Sequence, residues 1–126
     1  MKLSISSAAK APIYQQIKEQ IQAAILSGEL QPGEALPSLR TLAKELRISV
    51  LTVTRAYTEL EQEGFVANVQ GKGCFVQGRE NALLREQLLR RAESLLGEGA
   101  ALARQAGLSS AEIHAMLTTL LQEEGV

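Results

Sequence analysis

Two short amphipathic patterns separated by three residues constrain this chain more than any other feature. In "PSLRTLAKELR", Leu39, Leu42, Ala43 and Leu46 stand at i, i+3, i+4 and i+7, one face of a helix that Ser38 can N-cap. In "SVLTVTRAYTELEQEG", Val53, Ala56, Tyr57 and Leu60 repeat the same spacing, with Ser49 as N-cap and Gly64 as stop. Only Arg47, Ile48 and Ser49 lie between the two patterns. Two helices joined by so tight a turn read as a helix-turn-helix.

The flanks fit that core. "PIYQQIKEQIQAAILSGEL" is a longer helix: Pro12 suits its first turn, Tyr14, Ile17, Ile21, Ala24 and Ile25 form its buried face, and Gly28 ends it. Pro32-Gly33 makes a turn, and Leu3 to Ser6 alternate apolar and polar like a weak edge strand. After Gly64, Phe65 to Val69 and Cys74 to Gln77 read as two strands, with a turn from Gln70 to Gly73. Gly71-Lys72-Gly73 is thus a hairpin tip. A phosphate loop would open a helix and carry the Gly-x-x-x-x-Gly-Lys-Ser/Thr pattern, which is missing.

This element order predicts a mainly α fold with a small β wing: a winged helix-turn-helix over residues 1–78. Residues 79–126 follow as a two-helix tail. Along it Leu88, Ala92, Leu95, Gly99, Leu102 and Ala106 step by four and three, a heptad-like seam. Gly97 and Gly99 weaken that helix, or let another helix come close. Gly107 is a natural helix end, and Ser109 with Glu112 forms a capping box for a last helix through Ile113, Leu117, Leu120 and Leu121. So small a domain cannot cover both apolar faces, and a homodimer is expected through Leu88, Ala92, Leu95, Leu102, Ile113, Leu117 and Leu121.

In a helix-turn-helix the second helix enters the DNA major groove by its N-terminal end. With Val53, Ala56, Tyr57 and Leu60 inside, the 100° step puts Leu51, Arg55 and Thr58 outside, flanked by Thr52 and Thr54. Hydroxyls, a methyl contact and an arginine suit a groove reader. Lys72, held between glycines, suits a tip that approaches the sugar-phosphate backbone closely. Arg40, Arg47, Arg55 and Lys72 would share this face. The net charge of −1 argues mildly against nucleic acid. Its distribution does not: residues 1–79 hold nine Lys/Arg against seven Glu, and residues 80–126 four Arg against seven Glu.

Other chemistries find little support. One histidine, His114, and no aspartate make a metal site unexpected, and no cofactor motif is present. No Ser/His/acid set or nearby Cys/His pair points to an enzyme. Cys74 cannot form an intrachain disulfide, and it reads as a packing residue rather than a redox sensor. The chain carries no apolar run long enough for a membrane span and no signal-peptide core, so a soluble, cytoplasmic protein is expected. The competing reading is a winged-helix adaptor that binds protein and not DNA, for which the acidic balance and the apolar Leu51 speak.

"PIYQQIKEQIQAAILSGELQPGEALPSLRTLAKELRIS", "TVTRAYTELEQEGFV" and "GKGCFV" together resemble the DNA-binding domain of GntR-family bacterial transcription regulators across residues 11–77. The tail, with "GLSSAEIHAMLTTLL", is similar to the short dimerisation tail of that family's YtrA-like subfamily and too small for the family's large effector domains. The resemblance implies a homodimeric repressor of double-stranded DNA, often of ABC-transporter operons. It implies a phosphate contact for Arg40, recognition positions at Ser49, Val50, Leu51, Thr52 and Thr54, and a wing tip at Gly71 and Lys72. Arg47 stands where relatives often have glycine, Val50 and Leu51 where they are often polar or basic. Cys74 replaces a common threonine, and Gln70 a frequently basic residue. No polar cluster marks a site for a small-molecule effector.

Overall fold

Every helix but the first, which follows Pro12, begins on a side-chain cap. In the computed structural model, which describes residues 1–123, the order is α1 (Ile13–Leu26), α2 (Leu39–Leu46), α3 (Val50–Gln62), β1 (Val66–Val69), β2 (Gly73–Val76), α4 (Ala82–Gln105) and α5 (Ser110–Glu123). Ser38 Oγ accepts from the Thr41 amide and Ser49 Oγ from the Thr52 amide, so both short helices start on hydroxyl caps. The final three residues of the expected tail lie outside the described residues.

The chain forms two compact units, Met1–Leu88 and Leu89–Val126, and α4 runs through both. In the first, Ile17, Ile21, Val53, Ala56, Tyr57 and Leu60 are sealed from solvent, joined by Phe65 and Val66 from the hairpin and Leu84 from the start of α4. Tyr57 belongs to this core, as its spacing predicts, and its hydroxyl donates to the Pro37 carbonyl at 2.9 Å. Removal from water pushes its phenol well above the ordinary tyrosine range. Cys74 is buried and its thiol is pushed up to about 11, chiefly by burial, which fits the packing role.

The hairpin is antiparallel, with Val66 opposite Val76 and Val69 opposite Gly73. Both strands begin one residue away from the expected positions, since Gly73 pairs within the ladder and Gln77 lies past its end. The free edge of β2 is covered: Val76 N–H donates to the Glu34 carbonyl and Leu36 N–H to the Cys74 carbonyl, each at 2.8 Å.

Leu3 to Ser6 do not form a strand. Among the described residues no strand pairs with them; side-chain amides of α1 take a strand's place. Gln20 accepts from Ser4 N–H at 2.9 Å and donates to its carbonyl at 2.7 Å, and Gln16 does the same for Ser6 at 2.8 and 2.9 Å. The alternation has a simpler cause: Leu3 and Ile5 tuck against the core.

Arg47 ends α2 in the left-handed region, at φ 58° and ψ 48°. Glycine adopts that conformation freely, whereas other residues pay about 1–2 kcal/mol. Glycine's extra freedom in the unfolded chain returns roughly 0.4–1 kcal/mol of that. Arg47→Gly is therefore expected to raise unfolding stability by about 0.5–1 kcal/mol in urea titrations. A loss of stability would show that the arginine side chain contributes more than its backbone costs.

In the second unit α4 continues unbroken through Gly97 and Gly99, and a Cβ at either glycine would meet nothing within 4 Å. The capping box is present in both directions: Ser109 N–H donates to Glu112 Oε1 at 2.9 Å, and Glu112 N–H to Ser109 Oγ at 3.2 Å. The apolar faces stay in solvent, with Leu95 49%, Leu102 65% and Leu120 51% exposed.

Candidate nucleic-acid interface

The first turn of α3 projects from the first unit. Its N-cap, Ser49, lies just after the left-handed Arg47, so the chain reverses sharply and α3 starts at the surface. Leu51 is 79% exposed and Val50 is also exposed. The hydroxyls expected to read bases are already partly engaged. Ser49 Oγ lies 2.9 Å from Thr52 Oγ1, and Thr54 Oγ1 donates to the Val50 carbonyl at 2.8 Å. Such local bonds tie these hydroxyls to the first turn of their own helix.

Three basic residues of the first unit are open to solvent. Arg40 in the first turn of α2, Arg47 after it and Lys72 at the wing tip are all exposed. The wing tip is a tight turn in which Lys72 N–H donates to the Val69 carbonyl at 2.9 Å, with Gly71 at φ 78° and Gly73 at φ 121°. Both conformations favour glycine, as the hairpin reading requires. A cleft of about 620 Å³ separates the wing from the start of α2, lined among others by Ser38, Leu39, Asn68, Gln70 and Lys72. Ser38, Asn68 and Gln70 had no place among the residues expected to contact DNA; only the fold brings these distant segments to one cleft.

Arg55 differs from expectation in its surroundings. Its side chain is 61% exposed, yet it is tied toward α1. The guanidinium carbon lies 3.7 Å from the centroid of the Tyr14 ring, Nη2 donates to Tyr14 Oη at 3.0 Å, and Nε donates to Glu59 Oε2 at 3.3 Å. Glu59 also accepts from Lys18 Nζ at 3.0 Å, and Lys18 reaches Glu63 as well. The bond from Lys18, then that from Arg55, holds the Glu59 carboxyl below its usual range. The bond to Glu63, opposed by partial burial, holds the Lys18 ammonium above its own. Tyr14 and Arg55 are 41 residues apart, so no local pattern signals their contact.

The tail residues divide differently from the expected seam. Leu88 is partly buried and packs against the core of the first unit. Leu95, Leu102, Leu117 and Leu121 are exposed, as is Ala92, and Ile113 is half-buried. Within the second unit a groove of about 410 Å³ is lined by Leu96, Ala100, Ala103, Ile113, Leu117 and their neighbours. His114 also lines it, with Nδ1 2.8 Å from the Ser110 carbonyl. Among the described residues no three His, Cys or Glu side chains group as a metal site, and no helix is long and apolar enough to cross a membrane.

A hydroxyl-capped helix pair, an exposed second-helix N-terminus and a glycine-tipped wing with a lysine define a winged-helix DNA-binding regulator. The family model described as bacterial regulatory proteins, gntR family, matches residues 13–76. The chain belongs to the GntR family of transcription regulators, DNA-binding proteins and not enzymes. It is 31% identical over 112 residues to the HTH-type transcriptional repressor YtrA of Bacillus subtilis, covering 89% of this chain and 86% of that protein. YtrA from Sulfolobus acidocaldarius, a GntR-family transcription factor, superposes with a TM-score of 0.57 at 40% identity, covering 73% of this chain and 97% of that one. The DNA-binding domain of AraR in complex with its operator ORE1 superposes with a TM-score of 0.51 at 30% identity, covering 60% and 93%.

Proposed function

We propose that this regulator is a homodimeric repressor that acts in the cytoplasm on a palindromic operator, with a transporter operon as the target its YtrA-like character suggests. The observation that carries the reading is the exposed first turn of α3, in a unit that also exposes Arg40 at the start of α2 and Lys72 on the glycine wing. The unit ending at Leu88 binds one half-site, and the helical unit from Leu89 on dimerises through Leu95, Leu102, Leu117 and Leu121. The exposure of those leucines in a single chain supports this assignment. Arg40, Arg47 and Lys72 contact phosphates, and Gly71 lets the wing approach the backbone. Ser49, Val50, Leu51, Thr52 and Thr54 meet the major groove, where Val50 and Leu51 favour apolar contact with thymine methyls.

Footprinting on DNA upstream of the gene identifies the operator; titrations with alanine variants then separate affinity from readout. Arg40→Ala and Lys72→Ala are expected to weaken operator and random DNA alike. Each should flatten the slope of log K against log salt by ~0.9 per lost phosphate contact. Leu51→Ala and Thr52→Ala are expected to cost ~1–3 kcal/mol on the operator and far less on random duplex. If these four variants all bind both DNAs as the parent does, α3 is not the recognition helix. Leu51, at 79% exposure, also supports a second reading, a protein-binding adaptor. A shift assay without salt-dependent DNA binding would favour that one.

A further inference from the structure

The contacts around Arg55 form a connected set: Tyr14 beneath the guanidinium at 3.7 Å, Glu59 on its Nε at 3.3 Å, and Lys18 holding the other oxygen of Glu59 at 3.0 Å. An isolated i, i+4 pair between exposed side chains fixes little, because both ends remain free to rotate. Here one end is anchored on a second helix, since the Lys18 side chain is only 19% exposed and also pairs with Glu63. The ring face and hydroxyl of Tyr14 then restrain the arginine from the α1 side. Two of the five guanidinium N–H groups are taken by Glu59 and Tyr14. Those remaining, on Nη1 and Nη2, sit on a side chain that is 61% exposed.

A side chain bent back onto the neighbouring helix lies on the flank of α3 rather than straight ahead of it. The flanks of a helix in the major groove face the phosphate walls, not the base edges. An acidic residue beside a DNA-facing arginine would ordinarily oppose binding by repelling phosphates. Its position makes sense if it holds the arginine ready.

We propose that Arg55 clamps a backbone phosphate and that Glu59, with Tyr14, is a positioning residue that sets its guanidinium before DNA arrives. The proposal rests on the DNA-binding face assigned above. Because one freely rotating arginine must be ordered on contact and a braced one need not be, the brace strengthens binding although it carries a negative charge.

The test is fluorescence anisotropy with a random-sequence duplex at several salt concentrations, on Arg55→Ala, Glu59→Gln, the double variant, Tyr14→Leu and Arg40→Ala. Melting curves choose a temperature at which each is folded. Arg55→Ala is expected to weaken binding by about tenfold and flatten the salt slope by ~0.9. Glu59→Gln removes a negative charge, yet it is expected to weaken binding by at least about threefold, with no further loss in the double variant. A merely structural effect of Glu59 would persist without Arg55. Tyr14→Leu leaves Glu59 and Lys18 in place and is also expected to weaken binding and flatten the slope, an independent arm should Glu59→Gln unfold. Tighter binding by Glu59→Gln, additive losses, or unchanged binding by Tyr14→Leu would each overturn the positioning role. If Arg55→Ala binds as the parent does while Arg40→Ala is weakened, the clamp is wrong and the DNA face stands. If neither arginine matters, the DNA face itself is wrong, and the clamp with it.

Discussion

Leu95→Glu is expected to run as a monomer in light scattering and to bind an operator of two half-sites about two orders of magnitude more weakly. The loss is large because a dimer converts the second half-site into an intramolecular partner, a gain of roughly 10²–10⁴ that a monomer forfeits without losing any DNA contact. Leu95 is half exposed on α4 in the single chain, beside the exposed Leu96 and near the groove that Ile113 and Leu117 line from α5. A charge there costs the isolated chain little, but it is stranded without a partner when two apolar faces close over it. The DNA-binding unit should therefore melt as before. Affinity for a single half-site should also be unchanged, which separates lost dimerisation from lost folding. A Leu95→Glu protein that still scatters as a dimer would place the interface elsewhere.

Gly64→Ala is expected to destabilise the DNA-binding unit by about 2–4 kcal/mol, lowering its melting midpoint by about 10 °C or more. Two causes combine at this residue. Its φ of 87° strains any side chain, and a Cβ would lie 2.5 Å from Leu83 Cβ, 2.6 Å from Asn81 Oδ1 and 3.0 Å from the Leu84 amide. Asn81 Oδ1 is the acceptor for that amide, at 3.1 Å, at the start of α4, and Leu84 fills the core beside it. One methyl group thus pushes the first turn of α4 off the end of α3. Gly71→Ala makes the contrast. It too has positive φ, at 78°, but a Cβ there meets nothing within 4 Å, so it should cost only the backbone strain of about 1 kcal/mol. Equal losses in the two variants would mean that strain alone matters at Gly64 and that α4 is not packed closely there.

Most of the first unit is legible in the chain because its elements are set by local physics. Apolar residues at helical spacing before Gly64, the serines that cap α2 and α3, and the Ser109–Glu112 capping box each act within a few residues. The short turn between α2 and α3 places its left-handed residue at Arg47. The hairpin is legible for the same reason, apart from its ends, where a one-residue difference depends on how Gly73 pairs across the ladder.

What the chain could not reveal by local pattern is whatever depends on segments meeting from far apart. The Leu3–Ser6 alternation reads as a weak edge strand, and only the glutamines of α1, which take up its backbone groups, show that it is none. The steps along α4 place Leu88 on the tail seam, and only the fold shows that it also packs against the core of the first unit. Gly64 looks like an ordinary helix stop until α4 is found against it. Arg55 belongs by its helical angle to the outward face of α3, yet Tyr14 and Glu59 hold it at the flank. The sequence by itself thus determined the elements, their caps and the family, because periodicity and capping act over a turn or two of chain. The tertiary structure alone decided which side chains brace one another, because those contacts join residues 41 positions apart that no repeat relates.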